Sequence, residues 1–255
     1  MQNRKAPLWV LLAVASALCL PARAALIVNG GFEAGFAGWT RADQRDSLDS
    51  GGSAGTFFLQ NGTVSPVNGD AVPPPPGGVT AAMTDAEGPG SHVLLQTFTV
   101  PSAVGPTSLT FDLFIGNRAD RFVTPNTLDF GTPALNQQAR VDILRGTSDP
   151  FSLEASDVLL NLFRTEVGSP LISGYTHFDI DVTTLLNAHL NTPLILRFAE
   201  VDNVFTFQFG VDNVDLVTAS TQVVSEPESY ALIAGGLIAV GWTRRRFGPT
   251  QRGSS

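Results

Sequence analysis

Apolar residues fall on every second position in five stretches of the chain's middle, and this period constrains the fold more than any other feature. Leu109, Phe111, Leu113 and Ile115 form one such series; Ala139, Val141 and Ile143 form another. Phe178, Ile180 and Val182, then Leu194, Leu196 and Phe198, then Phe205, Phe207 and Phe209 complete the set. Successive side chains of a strand point to opposite faces, so a period of two broken by Gly, Pro, Asn and Asp predicts half-buried antiparallel strands. Several such strands joined by turn-rich loops predict an all-β fold, a two-sheet antiparallel sandwich or jelly roll. Leu185, Leu186 and Leu190 recur at helical spacing instead, which predicts one short crossover helix over Val182–Leu190, with Thr183 or Thr184 as its cap.

Both ends of the chain are apolar in a different way. Residues 1–24 have the layout of a secretory signal peptide: Arg4 and Lys5, then LWVLLAVASALCL, then Ala22-Arg23-Ala24 as the cleavage site. Residues 25–217 form the expected ectodomain, and residues 218–229 a linker carrying Ser225-Glu226-Pro227. Residues 230–246 are an apolar segment closed by Arg244, Arg245 and Arg246, and residues 247–255 a short tail. At about 1.5 Å per residue that segment spans about 25 Å as a helix, slightly less than a hydrocarbon core of about 30 Å. The arginines directly after it predict a single transmembrane helix with the tail in the cytoplasm and the domain outside.

The order of acidic motif, apolar helix and basic cluster in VSEPESYALIAGGLIAVGWTRRR resembles the PEP-CTERM sorting signal of exported bacterial proteins. Glu226 and Pro227 match that signal, and Ser225 stands where its first proline would be. The resemblance implies an exosortase-like membrane protease as a partner, anchorage in the inner membrane before processing, and a cell-surface or extracellular destination among exopolysaccharide.

Between the ends, residues 25–222 carry 21 Asp and Glu against eight Arg and no Lys, a net charge of about −13. Nucleic acid is excluded as a partner on sign alone, while solubility and attraction of divalent cations are favoured. The single cysteine, Cys19, lies in the signal segment, so disulfides, a thiol nucleophile and a thiolate metal site are excluded from the domain. Residues 43–56 and 61–79 read as loops, the latter holding Pro73–Pro76. The polar, Pro-broken stretch 116–138 between two strands is long enough to be functional, structural or mobile.

The opening Leu26-Ile27-Val28-Asn29-Gly30-Gly31-Phe32-Glu33, with Gly38-Trp39, resembles the start of the jelly-roll carbohydrate-binding-module superfamily. Phe209-Gly210-Val211-Asp212-Asn213-Val214-Asp215-Leu216 resembles its closing strand. The resemblance implies that these segments lie side by side, with a structural calcium held by the carbonyl of Gly31 and the carboxylates of Glu33 and Asp212. The alternative is that Glu33 caps a turn and Asp212 sits in a strand-end turn.

Sugar binding needs exposed flat rings, because aromatic faces stack on C–H-rich sugar faces. The ectodomain offers one tryptophan, Trp39, expected in the core, and one tyrosine, Tyr175. The expected function is therefore a non-catalytic component of the cell surface or matrix, with a polysaccharide-binding module as the alternative and a secreted hydrolase as a third class. His92, His177 and His189 are not at metal-site spacing and read as surface or satisfied polar residues. Asp85 with Glu87, and Glu200 with Asp202, read equally well as solvated turn residues, so no catalytic pair stands out.

Overall fold

The computed structural model of the chain describes residues 25–45 and 51–218. The signal segment, the Ser225-Glu226-Pro227 motif, the apolar segment and Arg244–Arg246 all lie outside the described residues. Among the described residues no helix is long and apolar enough to cross a membrane.

Ten strands form two five-stranded antiparallel sheets. The first sheet contains β1 (Thr40–Asp43), β4 (Gly90–Thr99), β9 (Pro193–Asp202), β6 (Gln137–Arg145) and β7 (Val158–Arg164), in that order across it. The second contains β2 (Thr56–Asn61), β3 (Thr80–Asp85), β10 (Phe207–Thr218), β5 (Thr107–Asn117) and β8 (Thr176–Asp181). When β3 to β10 are counted as strands one to eight, their orders are 1-8-3-6 and 2-7-4-5, the interlocked double Greek key of a jelly roll. β1 and β2 extend one edge of each sheet.

The alternating residues meet between the sheets. Phe111, Leu113, Phe209 and Val211 from one side pack on Leu94, Val141, Leu196 and Phe198 from the other. The only α-helix among the described residues, α1 (Thr183–Ala188), crosses from β8 to β9 and buries Leu186. It is shorter than the spacing predicts, and neither threonine caps it: Asp181 accepts the main-chain N–H of Thr183 at 2.8 Å, while the Thr183 hydroxyl accepts that of Thr107.

Two further differences from the period-two reading appear. Strand β4 lacks clean alternation, because parts of the outer faces of β4 and its neighbour β9 are covered too. Val93, Ala199 and Val201 of that outer face pack against Leu128 and Phe130. The stretch 116–138 thus begins in β5 and ends in β6, and between them Leu128 and Phe130 cover part of the first sheet while Phe122 packs on Phe207 in the main core. Phe205, in phase with Phe207 and Phe209, lies outside the strand, in the turn between β9 and β10.

Candidate functional site

One end of the sandwich interior is polar. The inward-facing series Leu194, Leu196 and Phe198 of β9 continues in phase to Glu200 and Asp202. His92 of β4 stands in register with Glu200, and Gly90 with Asp202. His92, Glu200 and Asp202 are all buried, and one potential ligand atom from each lies within 4.8 Å of the others. His92 Nδ1 meets Asp43 Oδ1 at 2.7 Å. Its Nε2 and the Oε1 of Glu200 are buried without a hydrogen-bond partner. Asp202 Oδ1 accepts the main-chain N–H of Gly90 at 2.9 Å.

These acids are therefore not solvated turn residues, and His92 is neither at the surface nor satisfied. Asp85, read the same way, is also buried, its carboxylate accepting the N–H groups of Val67 and Asn68. Burial, and next the neighbouring Asp202 charge, push the Glu200 carboxyl well above its ordinary range. Burial likewise lifts Asp202 to about 8. No arginine among the described residues forms an ion pair with either.

Above this cluster a cleft of about 220 Å³ opens between Glu87–Pro89 and Asp202–Thr206. Its β9–β10 wall is fixed by two side-chain amides, one of them buried. Gln137 donates to the carbonyl of Phe205 at 2.7 Å and accepts the N–H groups of Val204 and Phe205. Asn203 donates to the carbonyls of Phe130 and Ala134, and its own amide oxygen accepts the N–H of Asn136 at 2.6 Å. The Phe205 side chain stands free of this bracing, 61% exposed, and is the only Phe, Tyr or Trp ring among the described residues to be exposed. Trp39 is buried against Phe32 and Phe198, its Nε1 donating to the carbonyl of Asn29.

The other expected site is assembled by the two chain ends. Val214 donates its N–H to the carbonyl of Gly30 at 3.0 Å, which sets the opening motif beside β10. Glu33 Oε1 accepts the N–H groups of Val79 and Thr80 and the Thr80 hydroxyl. Asp212 accepts the N–H of Gly77 on Oδ2 and that of Asn213 on Oδ1. Gly31 lies against Asp212 Oδ1, 3.9 Å from where its Cβ would be. Backbone contacts with Val79 and Thr80 hold Glu33 below its ordinary range. Burial is the main reason that Asp212 rises to about 6, with the charges of Asp112 and Glu33 adding to it. Two carboxylates that repel each other beside a main-chain carbonyl fit a hard cation in donor type, since calcium takes oxygen ligands only. None of their oxygens is a buried orphan, so this site is less demanding of an ion than the His92 cluster.

His177 lies on the far sheet, where its Nδ1 meets Asp112 at 2.8 Å, and His189 follows α1.

No protein-family model matches the chain, and the search of curated proteins found no match. Among solved structures, the carbohydrate-binding module TmCBM61 in complex with β-1,4-galactotriose aligns at 13% identity and a TM-score of 0.41, over 77% of this chain and 100% of the module. A structure described as CBM4 aligns at 15% identity and a TM-score of 0.39, over 75% and 98% of the two chains. The K3 cleaved adhesin domain of Lys-gingipain from Porphyromonas gingivalis aligns at 14% identity and a TM-score of 0.41, over 74% and 97%. At such scores the similarity transfers no ligand or role to this chain.

Proposed function

We propose that the chain is an exported, non-catalytic β-sandwich that holds polysaccharide in the cleft between Glu87–Pro89 and Asp202–Thr206. The single observation that carries this reading is Phe205: an exposed ring presented by a turn whose backbone is hydrogen-bonded on both sides. An aromatic face bound to a rigid support loses little conformational freedom when a sugar stacks on it. Glu87 and Asp202 supply polar groups that hydroxyls would bond. The burial of Trp39 favours the purely structural reading for that residue, so binding stands or falls with this cleft.

Affinity electrophoresis against a panel of bacterial exopolysaccharides tests the proposal. Retardation by at least one polysaccharide is expected, with loss of about 1–3 kcal/mol, or about 5- to 150-fold in affinity, in Phe205→Ala. Equal retardation of wild type and Phe205→Ala would place any binding elsewhere. Release of reducing ends from the bound polysaccharide, abolished in Asp202→Asn, would make the protein a hydrolase instead.

The destination rests on the tail. The Glu226-Pro227 motif, apolar segment and Arg244–Arg246 support membrane anchorage followed by exosortase cleavage and transfer to the cell surface or matrix. Mass spectrometry of the protein from its native cells distinguishes the outcomes: a form ending near Glu226 supports sorting, and an intact Ser255 overturns it. Glu33, Asp212 and the Gly31 carbonyl would hold a structural calcium that fastens the first segment to the last strand.

A further inference from the structure

We infer that His92, Glu200 and Asp202 form a binding site for a first-row divalent cation, with zinc the ion that their donor set suits. The three side chains converge from two paired strands, with ligand atoms within 4.8 Å of one another. Two of the atoms that face the cluster, His92 Nε2 and Glu200 Oε1, are buried and unpartnered. A buried polar group without a partner is costly, and such groups persist in proteins when they are hydrogen-bonded or coordinate a metal.

The surroundings complete a metal site in three respects. Asp43 engages His92 Nδ1 at 2.7 Å, which fixes the tautomer with the Nε2 lone pair toward the cluster; an outer carboxylate does this for metal-bound imidazoles generally. Gly90 keeps the space in front of that nitrogen open, since a Cβ there would lie 2.4 Å from Nε2. The same glycine's N–H holds Asp202, and Asp202 lines the open cleft, which supplies an entry path and room for a water ligand. Two carboxylates balance a double positive charge without any arginine.

The donor set selects the ion. One imidazole nitrogen with two carboxylate oxygens suits zinc or its first-row neighbours, whereas calcium requires six to eight oxygens and a copper(I) site would require sulfur. This site is separate from Gly31, Glu33 and Asp212; it shares Asp202 with the proposed sugar-binding cleft, but its test needs no polysaccharide.

The test uses the untagged full-length chain, purified in detergent, stripped with a chelator and titrated with zinc and cobalt. One equivalent of zinc is expected to bind and raise the unfolding temperature, and cobalt is expected to give d–d absorption with a paramagnetically shifted imidazole proton. Glu200→Gln keeps the side-chain volume and a polar head group but removes the carboxylate ligand, so it is expected to fold while losing the zinc equivalent. Asp43→Asn is expected to weaken binding by about 10- to 100-fold, and Glu33→Gln to leave it unchanged. Absence of a stoichiometric equivalent in the wild type, or its persistence in both His92→Gln and Glu200→Gln, overturns the site. If neither variant folds, the wild-type cobalt spectrum decides, and the lack of a shifted imidazole signal counts against it.

Discussion

A methyl group added at Gly30 would sit 1.8 Å from the carbonyl oxygen of Val214, whereas one at Gly31 would meet nothing nearer than 3.9 Å. The neighbouring glycines of the opening motif therefore have different reasons to be there. Gly30 lets the chain's first segment approach β10 closely enough for the Val214 N–H to reach its carbonyl. Gly30→Ala is expected to cost about 1–3 kcal/mol through backbone displacement, and Gly31→Ala about 0.5 kcal/mol or less. Denaturant midpoints of the two variants check this, and equal midpoints would remove the distinction. The sequence displays both glycines and the pairing of the two chain ends, but not which of them the contact needs. For Glu200 and Asp202 the signal was present. They continue the phase of Leu196 and Phe198, so a strand extended by four residues would have placed them inside. His92 had no comparable mark, because the consecutive Val93, Leu94 and Leu95 beside it fix no phase and the state of a ring nitrogen leaves no trace in composition.

At the level of elements, the outer face of the first sheet shows why polar residues in a strand pattern do not imply solvent. Arg140, Asp142 and Arg197 alternate with core residues and read as an exposed face, yet all three are buried. Arg140 forms a two-pronged pair with Asp142, both contacts at 2.7 Å. Arg197, in register with Asp142, donates to it and to the carbonyls of Pro150 and Ser152. A strand face that carries paired charges leaves the same sequence pattern whether water or a loop lies above it. Removing its centre in Asp142→Ala strands two guanidinium groups and is expected to cost about 3–5 kcal/mol, read by urea unfolding. The pH dependence has a definite sign. Burial alone would raise the Asp142 carboxyl, but the Arg140 hydrogen bond and the Arg197 charge outweigh it and hold the group below its ordinary range. Its contribution is thus present above the unfolded carboxyl's pKa of about 3.9 and is lost as pH falls through the lower folded value. Wild-type stability should fall through that acid window; in Asp142→Asn this part of the fall should be absent, and an unaltered acid profile would refute the assignment.

For the whole molecule, the parts legible in the sequence are those whose physics is local or linear. A period of two gives strands without knowledge of any contact. The closure of the domain is not local, because it depends on what joins residues 30–33 to residue 212 across the length of the chain. The main-chain bond from Val214 to Gly30 makes one such join, and a calcium ion between Glu33 and Asp212 would make a second. Without the ion, Glu33 and Asp212 repel each other and Asp212 sits near 6; with it, the repulsion becomes a shared attraction. An ion that binds only the folded state adds about 2.7 kcal/mol when present at 100 times its dissociation constant. For a domain of this size each kcal/mol moves the unfolding midpoint by about 2–4 °C. Calcium should therefore raise the midpoint of the chelator-treated protein by about 5–11 °C, and Glu33→Gln should abolish the shift while leaving the zinc response intact. A midpoint indifferent to calcium in the wild type would mean that the two ends are held by hydrogen bonds alone, with Glu33 serving the turn at Val79 and Thr80.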